Sequence, residues 1–355
     1  MGAVSEAMVC LCLYPGRLMA PCSRLMHFRR PERRGISDAE VPIRERFLMT
    51  YDLKFVNLGI TITHMVNHID LFGFRIAFYG IIIAFGMMLC ICLAARDAEE
   101  RGLGGNVIYD GAAYGIIAGI AGARIYYVIF RWDDYRNQLL QIFNLRAGGL
   151  AIYGGVIAEI LFLWFWSRRK KISILDLLDT VMLCFPLGQA IGRWGNFFNC
   201  EAFGRYTESL FAMRIRRAIV NPIMIDDELL KHLIVDNGTE YIQVHPTFLY
   251  ESVWNLCLFF LLWNYRKKKK FTGEIFFLYL GGYGLGRLWI EGLRTDSLMI
   301  PGTGIAVSQL LAGVFVVVAL VGVRAGRRRA ARAAAESQSA AGTQADAEER
   351  QDPEA

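Results

Sequence analysis

The sequence predicts an all-α integral membrane protein with about seven transmembrane helices and a small external head. The chain of 355 residues is 54% hydrophobic and only 20% charged, whereas a soluble protein usually carries about 25% charged residues. The apolar residues are also clustered, because residues 76–95 and 305–323 contain no formal charge. A helix needs about 20 such residues to cross the hydrocarbon core of a bilayer, so both windows indicate membrane spans.

Apolar windows of similar length recur along the chain and predict the other spans. Their boundaries carry an uncertainty of several residues. The seven predicted spans cover residues 72–95, 107–130, 147–167, 173–195, 246–265, 273–292 and 304–323.

Clusters of lysine and arginine predict the orientation. They follow the first, third, fifth and seventh spans, as ARDAEERGLGG, SRRKKIS, YRKKKKFTGE and RAGRRRAAR. If every window spans the bilayer, these four segments lie on the same side, and the positive-inside rule makes that side cytoplasmic. The N-terminus is then outside and the C-terminus is in the cytoplasm.

Three regions are expected around this framework. Residues 49–326 form the seven-span domain, and the long connection 205–244 within it forms an ordered external head because it mixes aliphatic and charged residues. Residues 327–355 turn basic and then become rich in Ala, Glu, Gln and Asp. That composition cannot bury a core, so we expect a disordered cytoplasmic tail.

Residues 1–48 do not fit the charge pattern, because their arginines, among them Arg29, Arg30, Arg33, Arg34, Arg44 and Arg46, would lie outside the cell. One interpretation is a dispensable tail. The other is a start codon assigned too early, with the native chain beginning at Met49. We favour the second interpretation because it restores the positive-inside rule, and N-terminal sequencing of the native product distinguishes the two.

Eight cysteines are scattered without a C-x-x-C pair or a His/Cys cluster at metal-ligand spacing. Several lie inside apolar runs, where a thiol most often serves as a small packing residue. We therefore expect no metal site, no cofactor and no disulfide framework. The membrane lipid is the expected environment, and we expect no nucleic acid partner.

Polar residues inside the spans are the first functional candidates, because a charge near the bilayer centre costs about 2.5–3.5 kcal/mol on insertion scales. In the sixth span, Tyr283, Arg287 and Glu291 are spaced four residues apart, and Arg294 follows on the same helical stripe. Arg287 and Glu291 are placed to pair. A purely structural ion pair is the alternative, but the second arginine leaves a positive surplus that favours an anion.

The fourth span ends in the motif GRWGNFFNCEAFG. Arg193 and Asn196 share a helical face there, Glu201 follows just past the expected helix end, and glycines such as Gly204 allow close approach of a ligand or backbone. Guanidinium groups match phosphate oxygens. Two arginine-bearing segments facing one cavity therefore predict a phosphate site, and in a bilayer the available phosphate is a phospholipid headgroup.

Other polar residues at the spans are more ambiguous. Tyr79 and Tyr153 are each as readily explained by packing or an interface belt as by chemistry. Arg124 ends a stretch of small residues that is typical of close helix packing. His245 and Glu251 lie at the outer mouth of the fifth span, where His245 either positions the loop or titrates.

The motif resembles the signature G-R-x-G-N-F-x-N-x-E-x-x-G of the prolipoprotein diacylglyceryl transferases. The resemblance extends in order through RIAFYGIII, GARIYYV, GGLAIYGGVI, HPTFLYE and GRLWIEGLRTD, and covers about residues 72–323. The matching signature positions are Gly192, Arg193, Gly195, Asn196, Phe197, Asn199, Glu201 and Gly204.

This resemblance implies a multi-pass enzyme of the bacterial plasma membrane. Such enzymes move the diacylglyceryl group of phosphatidylglycerol onto the lipobox cysteine thiol in the signal peptide of a prolipoprotein. The reaction is the first step of lipoprotein maturation, forms a thioether and releases glycerol 1-phosphate. The implied partners are therefore phosphatidylglycerol and prolipoprotein signal peptides.

By motif position, the resemblance implies that Arg193, Asn196 and Glu201 bind the phosphatidylglycerol headgroup. Arg287 would hold the departing phosphate, and Glu291 would orient Arg287. Gly204 and Arg294 complete the expected substrate site, and Tyr79 falls where the family places an essential tyrosine.

The departure from the family is at Tyr153, where many members carry a histidine that has been proposed as the base for the thiol. A neutral tyrosine has an unperturbed pKa of about 10 and is a poor base at neutral pH. Arginines near the site raise the thiolate fraction of a cysteine, whose pKa is about 8.5, so positioning and charge stabilisation would carry the chemistry.

Two rival functions use the same arginines. One is a membrane anion or lipid transporter, which is disfavoured because the sequence has no inverted pair of broken helices and an odd number of spans. The other is a different membrane lipid transferase that recognises the same phosphate.

Overall fold

The computed structural model describes residues 51–71, 74–145, 148–295, 297, 299–300 and 303–349. Within these ranges lie seven long helices, each of which overlaps one predicted span. The mostly helical architecture is therefore confirmed, while the expectations for residues 1–48 lie outside the described residues. The helices are α1 (Phe78–Glu100), α2 (Gly105–Phe130), α3 (Ile152–Lys170), α4 (Ile174–Phe198), α5 (Thr247–Tyr265), α6 (Glu274–Ile290) and α7 (Val307–Glu349).

Four of these helices are long and apolar enough to cross a membrane by length and composition. They are α1, α2, α4 and residues 307–338 of α7. The chain also divides into two compact units, one containing residues 109–170 and the other containing residues 51–108 and the chain from 171 onward.

The second unit contains a head built from antiparallel β-strands. The strands are β1 (Tyr51–Phe55), β2 (Ile60–Met65), β3 (His68–Leu71), β4 (Phe74–Ala77), β5 (Met213–Arg216), β6 (Ile234–Asp236) and β7 (Thr239–Val244). Five of them form one sheet in the order β2-β1-β5-β7-β6, and β3 pairs with β4.

The expected class, all-α, is therefore too narrow. The expected head at 205–244 supplies β5, β6 and β7, but β1 and β2 come from residues 51–65 and pair beside them. Alternation explains the sheet, since Leu53, Ile215 and Ile242 are almost fully buried on one face. The pairing of β1 with β5 joins residues about 160 positions apart, which no local pattern predicts.

Two helix starts differ from the predicted spans. The first was expected at residue 72, but residues 74–77 form β4 and α1 begins at Phe78, because this segment pairs with β3. The third was expected at 147, but α3 begins at Ile152. Gly148 and Gly149 adopt φ values of +80° and +79°, a left-handed conformation that ends regular helix geometry.

The C-terminal region also differs from expectation. Helix α7 continues to Glu349, whereas the sequence predicts a disordered tail from residue 327. Alanine, arginine, glutamate and glutamine are strong helix formers, and this composition favours continuation of the helix beyond the apolar residues. Arg327 also donates a hydrogen bond of 2.8 Å to the buried Glu274 on α6.

Helix α6 is held in place by a carboxylate of α4. Asp179, which is 2% exposed, accepts hydrogen bonds of 2.9 Å from the backbone N–H groups of Gly273 and Phe276. Lys269 donates a third bond of 2.9 Å to the same side chain. The carboxylate thus satisfies donors at the N-terminus of α6, and this fixes α6 against α4 at the end opposite the candidate site.

Candidate active site

The signature motif forms the end of α4 and a tight turn beyond it. Arg193 and Asn196 lie on one face of the helix, and Arg193 Nη1 donates to Asn196 Oδ1 at 3.2 Å. After the helix, Cys200 and Ala202 adopt φ values of +50° and +55°, which is uncommon for residues with a side chain. They flank Glu201 and turn it back, so that Asn196 Nδ2 donates to Glu201 Oε1 at 2.9 Å.

Three arginines from two helical segments converge on the carboxylate of Glu251 in α5. Arg193 Nη2 lies 2.6 Å from Glu251 Oε2. Arg287 Nη1 lies 3.3 and 3.2 Å from the two carboxylate oxygens. Arg294 Nη1 donates to Oε1 at 3.1 Å. The Glu251 side chain is only 4% exposed, so the carboxylate forms the buried centre of the cluster.

A second carboxylate positions Arg287. Arg287 Nη2 lies 2.8 Å from Glu291 Oε2, four residues along the chain, as the spacing predicts. Ser297 donates to the other oxygen of Glu291 at 2.9 Å. The three arginines pair directly with two carboxylates, those of Glu251 and Glu291, so these five groups carry a formal charge of +1. In a setting of low dielectric constant, such a surplus favours an anionic ligand.

Gly204 closes the cluster through its backbone. Its N–H donates to His245 O at 2.9 Å, and the next residue, Arg205, donates to Leu293 O at 2.7 Å. Gly204 also forms an isolated antiparallel bridge with Arg294. A Cβ on Gly204 would lie 2.7 Å from both His245 Cβ and Leu293 O. Only glycine allows these three segments to approach so closely, and this approach places Arg294 beside the motif.

Tyr79, near the start of α1, packs on the same motif. A Cβ on Gly195 would lie 2.5 Å from the Tyr79 ring, so the glycine makes room for the aromatic side chain. The structure therefore brings Tyr79 to the last turns of α4, which also carry Arg193 and Asn196.

Two further sequence candidates lie in the unit of residues 109–170. Tyr153 is the second residue of α3 and is 43% exposed. Arg124 is 5% exposed and donates to the carbonyl groups of the segment preceding α3. The acceptors are Gln141, Ile142, Asn144, Gly148 and Gly149, at 2.7–3.4 Å.

The sequence reasoning missed the central role of Glu251, which it placed only at the mouth of the fifth span. Its signal was present, because a carboxylate inside an apolar span requires a cationic partner. The identity of those partners depends on the packing of α5 against α4 and α6. Ser297, which lies beyond the sixth span, gave no local signal.

An apolar groove adjoins the cluster in the same unit. It has a volume of about 460 Å³ and is lined mainly by side chains of α1, α4 and α5. Trp194 and Ser252, the immediate neighbours of Arg193 and Glu251 along the chain, lie at its wall, together with Phe85, Leu187 and Leu256. A polar cluster beside an apolar groove defines a site for an amphiphilic anion in a membrane protein.

Comparisons with known proteins agree with this class of site. Residues 67–324 match the family model described as prolipoprotein diacylglyceryl transferase. The chain therefore belongs to the prolipoprotein diacylglyceryl transferase family, a family of transferases.

Three relatives are each called phosphatidylglycerol–prolipoprotein diacylglyceryl transferase. The protein of Clostridioides difficile is 43% identical over 230 residues, which cover 65% of this chain and 83% of the relative. That of Enterococcus faecalis is 44% identical over 260 residues, or 73% and 89% of the two chains. That of Clostridium novyi is 40% identical over 252 residues, or 71% and 92%.

Proposed function

We propose that the protein transfers the diacylglyceryl group of phosphatidylglycerol to the lipobox cysteine of prolipoproteins. The cysteine sulfur attacks C3 of the diacylglyceryl moiety, so that an S–C3 bond forms and the C3–O bond to phosphate breaks. Glycerol 1-phosphate leaves with the bonding electron pair. The thiol proton is released when the sulfur becomes a nucleophile, and the products are a thioether and a phosphate monoester.

The observation that carries this proposal is the convergence of Arg193, Arg287 and Arg294 on Glu251. Guanidinium forks match phosphate oxygens in geometry and charge. The phosphate of the leaving group gains negative charge in the transition state. Fixed cations at that point therefore stabilise the transition state more than the substrate, which is the requirement for catalysis.

Individual roles follow from the contacts. Arg287 holds the departing phosphate, and Glu291 orients it through the 2.8 Å ion pair. Arg193, Asn196 and Glu201 form one connected chain of hydrogen bonds that binds the headgroup.

The remaining candidates complete the substrate site. Arg294 adds the third cation, and Gly204 lets its segment lie beside the motif. Tyr79 borders the substrate as a hydroxyl group that donates a hydrogen bond. Tyr153 contributes to transfer through its hydroxyl group as a donor, since a neutral phenol is a poor base.

The apolar groove explains how a membrane lipid reaches these cations. Its wall is formed largely by aliphatic and aromatic side chains, which favour acyl chains through burial of apolar surface. We place an acyl chain of phosphatidylglycerol in this groove and the phosphate at the arginines, because Arg193 directly precedes Trp194 of the groove wall on α4.

The proposal includes a topology. All seven long helices cross the plasma membrane, with the strand-rich head outside and the C-terminus in the cytoplasm. The basic clusters at the C-terminal ends of α1, α3 and α5, and the basic run 324–332 within α7, support this orientation. Labelling of single introduced cysteines with a membrane-impermeant thiol reagent tests it. Residue 223 in the head should react from outside, and residue 268 should react only after the membrane is permeabilised.

Transfer itself is tested with the full chain in vesicles of phosphatidylglycerol and a lipobox peptide. We expect a gain in peptide mass equal to one diacylglyceryl group on the cysteine, with release of one glycerol phosphate. A matched peptide carrying serine at the lipobox position controls for non-specific acylation. If the mass of the cysteine peptide stays unchanged while the vesicles transport an anion or flip lipid, the transferase proposal is wrong.

A further inference from the structure

The proposed transfer needs a group that accepts the thiol proton, and this inference rests on that proposed function. Many members of the family carry a histidine at the position of Tyr153. The phenol of Tyr153 is a poor base near neutral pH. A cysteine thiol has an ordinary pKa of about 8.5. Only a small fraction is ionised at pH 7, so a proton acceptor near the site accelerates the reaction.

The carboxylates of the cluster are poorly placed to act as that acceptor. Both oxygens of Glu251 accept from guanidinium groups. Glu291 accepts from Ser297 and pairs with Arg287. Glu201 accepts from Asn196. Ion pairs with arginine stabilise the ionised forms of Glu251 and Glu291, which weakens both carboxylates as proton acceptors.

His245 lies at the rim of the same cluster, between β7 and α5. Its backbone C=O accepts from Gly204 and its N–H donates to Arg205 O at 3.0 Å. Gly204 also bridges to Arg294. The histidine is thus joined by backbone hydrogen bonds to the signature motif, and through it to an arginine of the cluster.

The imidazole has a fixed neighbour and a suitable charge state. Its Nδ1 lies 3.3 Å from the hydroxyl oxygen of Tyr250 on α5. His245 is half-buried, and this burial lowers the pKa of the imidazole below its ordinary value of 6.5. The sign favours a base, because a lowered pKa keeps the ring neutral at pH 7 and protonates it only in more acidic solution.

The other histidines with described side chains are engaged elsewhere. His68 lies in the β3–β4 hairpin, where it contacts Asn67 and lies 3.5 Å from Asp70. His232 lies in the head, stacked on Tyr206 with ring centroids 4.0 Å apart. Neither is bonded to the motif or to the arginine cluster in the part of the chain that the structure describes.

We propose that His245 accepts the proton of the incoming cysteine thiol during transfer. In this arrangement Nδ1–H donates to the Tyr250 oxygen, and the lone pair on Nε2 takes the proton. The sulfur then attacks C3, and the proton held by His245 passes to the released phosphate or to water. Tyr250 is a positioning residue that selects the tautomer of the ring.

The groups around His245 decide how a pH profile is interpreted. Its neighbours on the bonded segments and on α5 are Arg205, Arg294, Tyr250 and the adjacent Glu251. The arginines stay charged at all accessible pH values, and a tyrosine titrates only near pH 10 or above. Glu251 is enclosed by three arginines. An acidic loss of activity that is present in the wild-type protein and absent from His245→Gln is therefore assigned to His245.

The test compares two peptides on the wild-type protein in phosphatidylglycerol vesicles between pH 5 and 9. One carries the lipobox cysteine and the other carries selenocysteine, whose selenol is already ionised near neutral pH and needs no acceptor. We expect thiol transfer to stay level between about pH 7 and 8 and to fall below about pH 6.5, where His245 becomes protonated, and selenol transfer to lack this decline. A thiol rate that instead rises about tenfold per pH unit up to the ordinary thiol pKa of about 8.5 would show that the proton leaves without a base and would overturn the proposal. Identical profiles for the two peptides would overturn the proposal.

Variants sharpen the result. His245→Gln should lower thiol transfer at pH 7 by about 100-fold, as expected for loss of a general base, with an unchanged KM for phosphatidylglycerol. Selenol transfer should recover most of that loss. The control His232→Gln, in the head, should keep the wild-type rate and profile. A His245→Gln protein with the wild-type rate and acidic decline would contradict the assignment.

Failure of the proposed function and failure of the role of His245 give different results. Absence of diacylglyceryl transfer by the wild-type protein at every pH would overturn the proposed function. Wild-type transfer with no difference between thiol and selenol would leave the function standing and overturn only the role of His245. If His245→Gln does not fold, the shape of the thiol profile on the wild-type protein still decides, because only transfer assisted by a base is level between about pH 7 and 8.

Discussion

Two arrangements of buried arginine in this protein differ in what surrounds the guanidinium. Arg124 has five N–H donors and five carbonyl acceptors, all from the backbone of residues 141–149. The arginines 193, 287 and 294 instead share the carboxylate of Glu251. Arg124 is 5% exposed, whereas the side chains of the three clustered arginines are 10–22% exposed, so the cluster is the more accessible of the two.

The difference separates structure from chemistry. A guanidinium has five donors, and Arg124 uses all of them in hydrogen bonds to the segment 141–149. It therefore acts as a structural anchor. In the cluster, three cations face fewer anions, and the shared acceptor leaves attraction available for a phosphate. A buried arginine is therefore not a functional residue by itself, and the nature of its acceptors distinguishes the two cases.

The largest expected effect is on catalysis, from Arg287→Ala. Loss of a cation at the departing phosphate should lower transfer at least about 100-fold, measured as the initial rate of thioether formation. Arg287→Lys keeps the charge but loses the two-pronged donor geometry, so it should retain part of the activity. A fully active Arg287→Ala protein would refute the role given to this residue.

Arg124→Gln should instead act mainly on stability. It leaves several carbonyl groups of residues 141–149 without a donor, and we expect a loss of at least about 3 kcal/mol, measured by thermal unfolding in detergent. The matched control is Arg131→Gln at the end of the same helix, where an exposed side chain pairs with Asp134. Its effect should stay below about 1 kcal/mol. Equal losses of stability in the two variants would contradict the structural role of Arg124.

The next largest effect is expected at Gly204, whose backbone contacts hold Arg294 beside the motif. In Gly204→Ala the new Cβ would approach Leu293 O and His245 Cβ to 2.7 Å, which should cost about 1–3 kcal/mol and separate Arg294 from the motif. In Gly192→Ala, nothing lies within 4 Å of the new atom. Alanine should therefore stabilise α4 by up to about 1 kcal/mol. Unfolding curves of both variants check the contrast.

The smallest expected effect is that of Tyr153→Phe. Removal of one hydroxyl should cost about 0.5–1.5 kcal/mol of binding or transition-state energy, equivalent to a decrease of about 2-fold to 10-fold in kcat/KM. Complete loss of transfer would show that the phenol takes part in proton transfer. That result would also conflict with the acceptor role of His245.

The sequence predicts the local features of the molecule well. Long apolar windows place the seven helices, because helix length and hydropathy are properties of one segment. The spacing of Arg287 and Glu291 predicts their ion pair, which is present at 2.8 Å. The face shared by Arg193 and Asn196 is also correct, since helical periodicity alone determines both pairs.

Non-local features were not predictable. The pairing of β1 with β5 joins distant segments, and the three arginines meet Glu251 only after α4, α5 and α6 pack together. The five carbonyl partners of Arg124 depend on the path of a loop that contains two left-handed glycines. In each case the decisive contact depends on tertiary structure, which hydropathy and spacing do not specify.

The central claim is that the cluster around Glu251 binds the phosphate of the lipid, whereas Arg124 does not. Inhibition by added glycerol 1-phosphate tests this claim in the vesicle assay. We expect the inhibition to be competitive with phosphatidylglycerol. Arg193→Lys should raise the inhibition constant at least about tenfold, as for loss of one bidentate contact. Arg124→Lys should leave the inhibition constant of the folded protein unchanged. Equal inhibition of all three proteins, or equal weakening by both substitutions, would contradict the account.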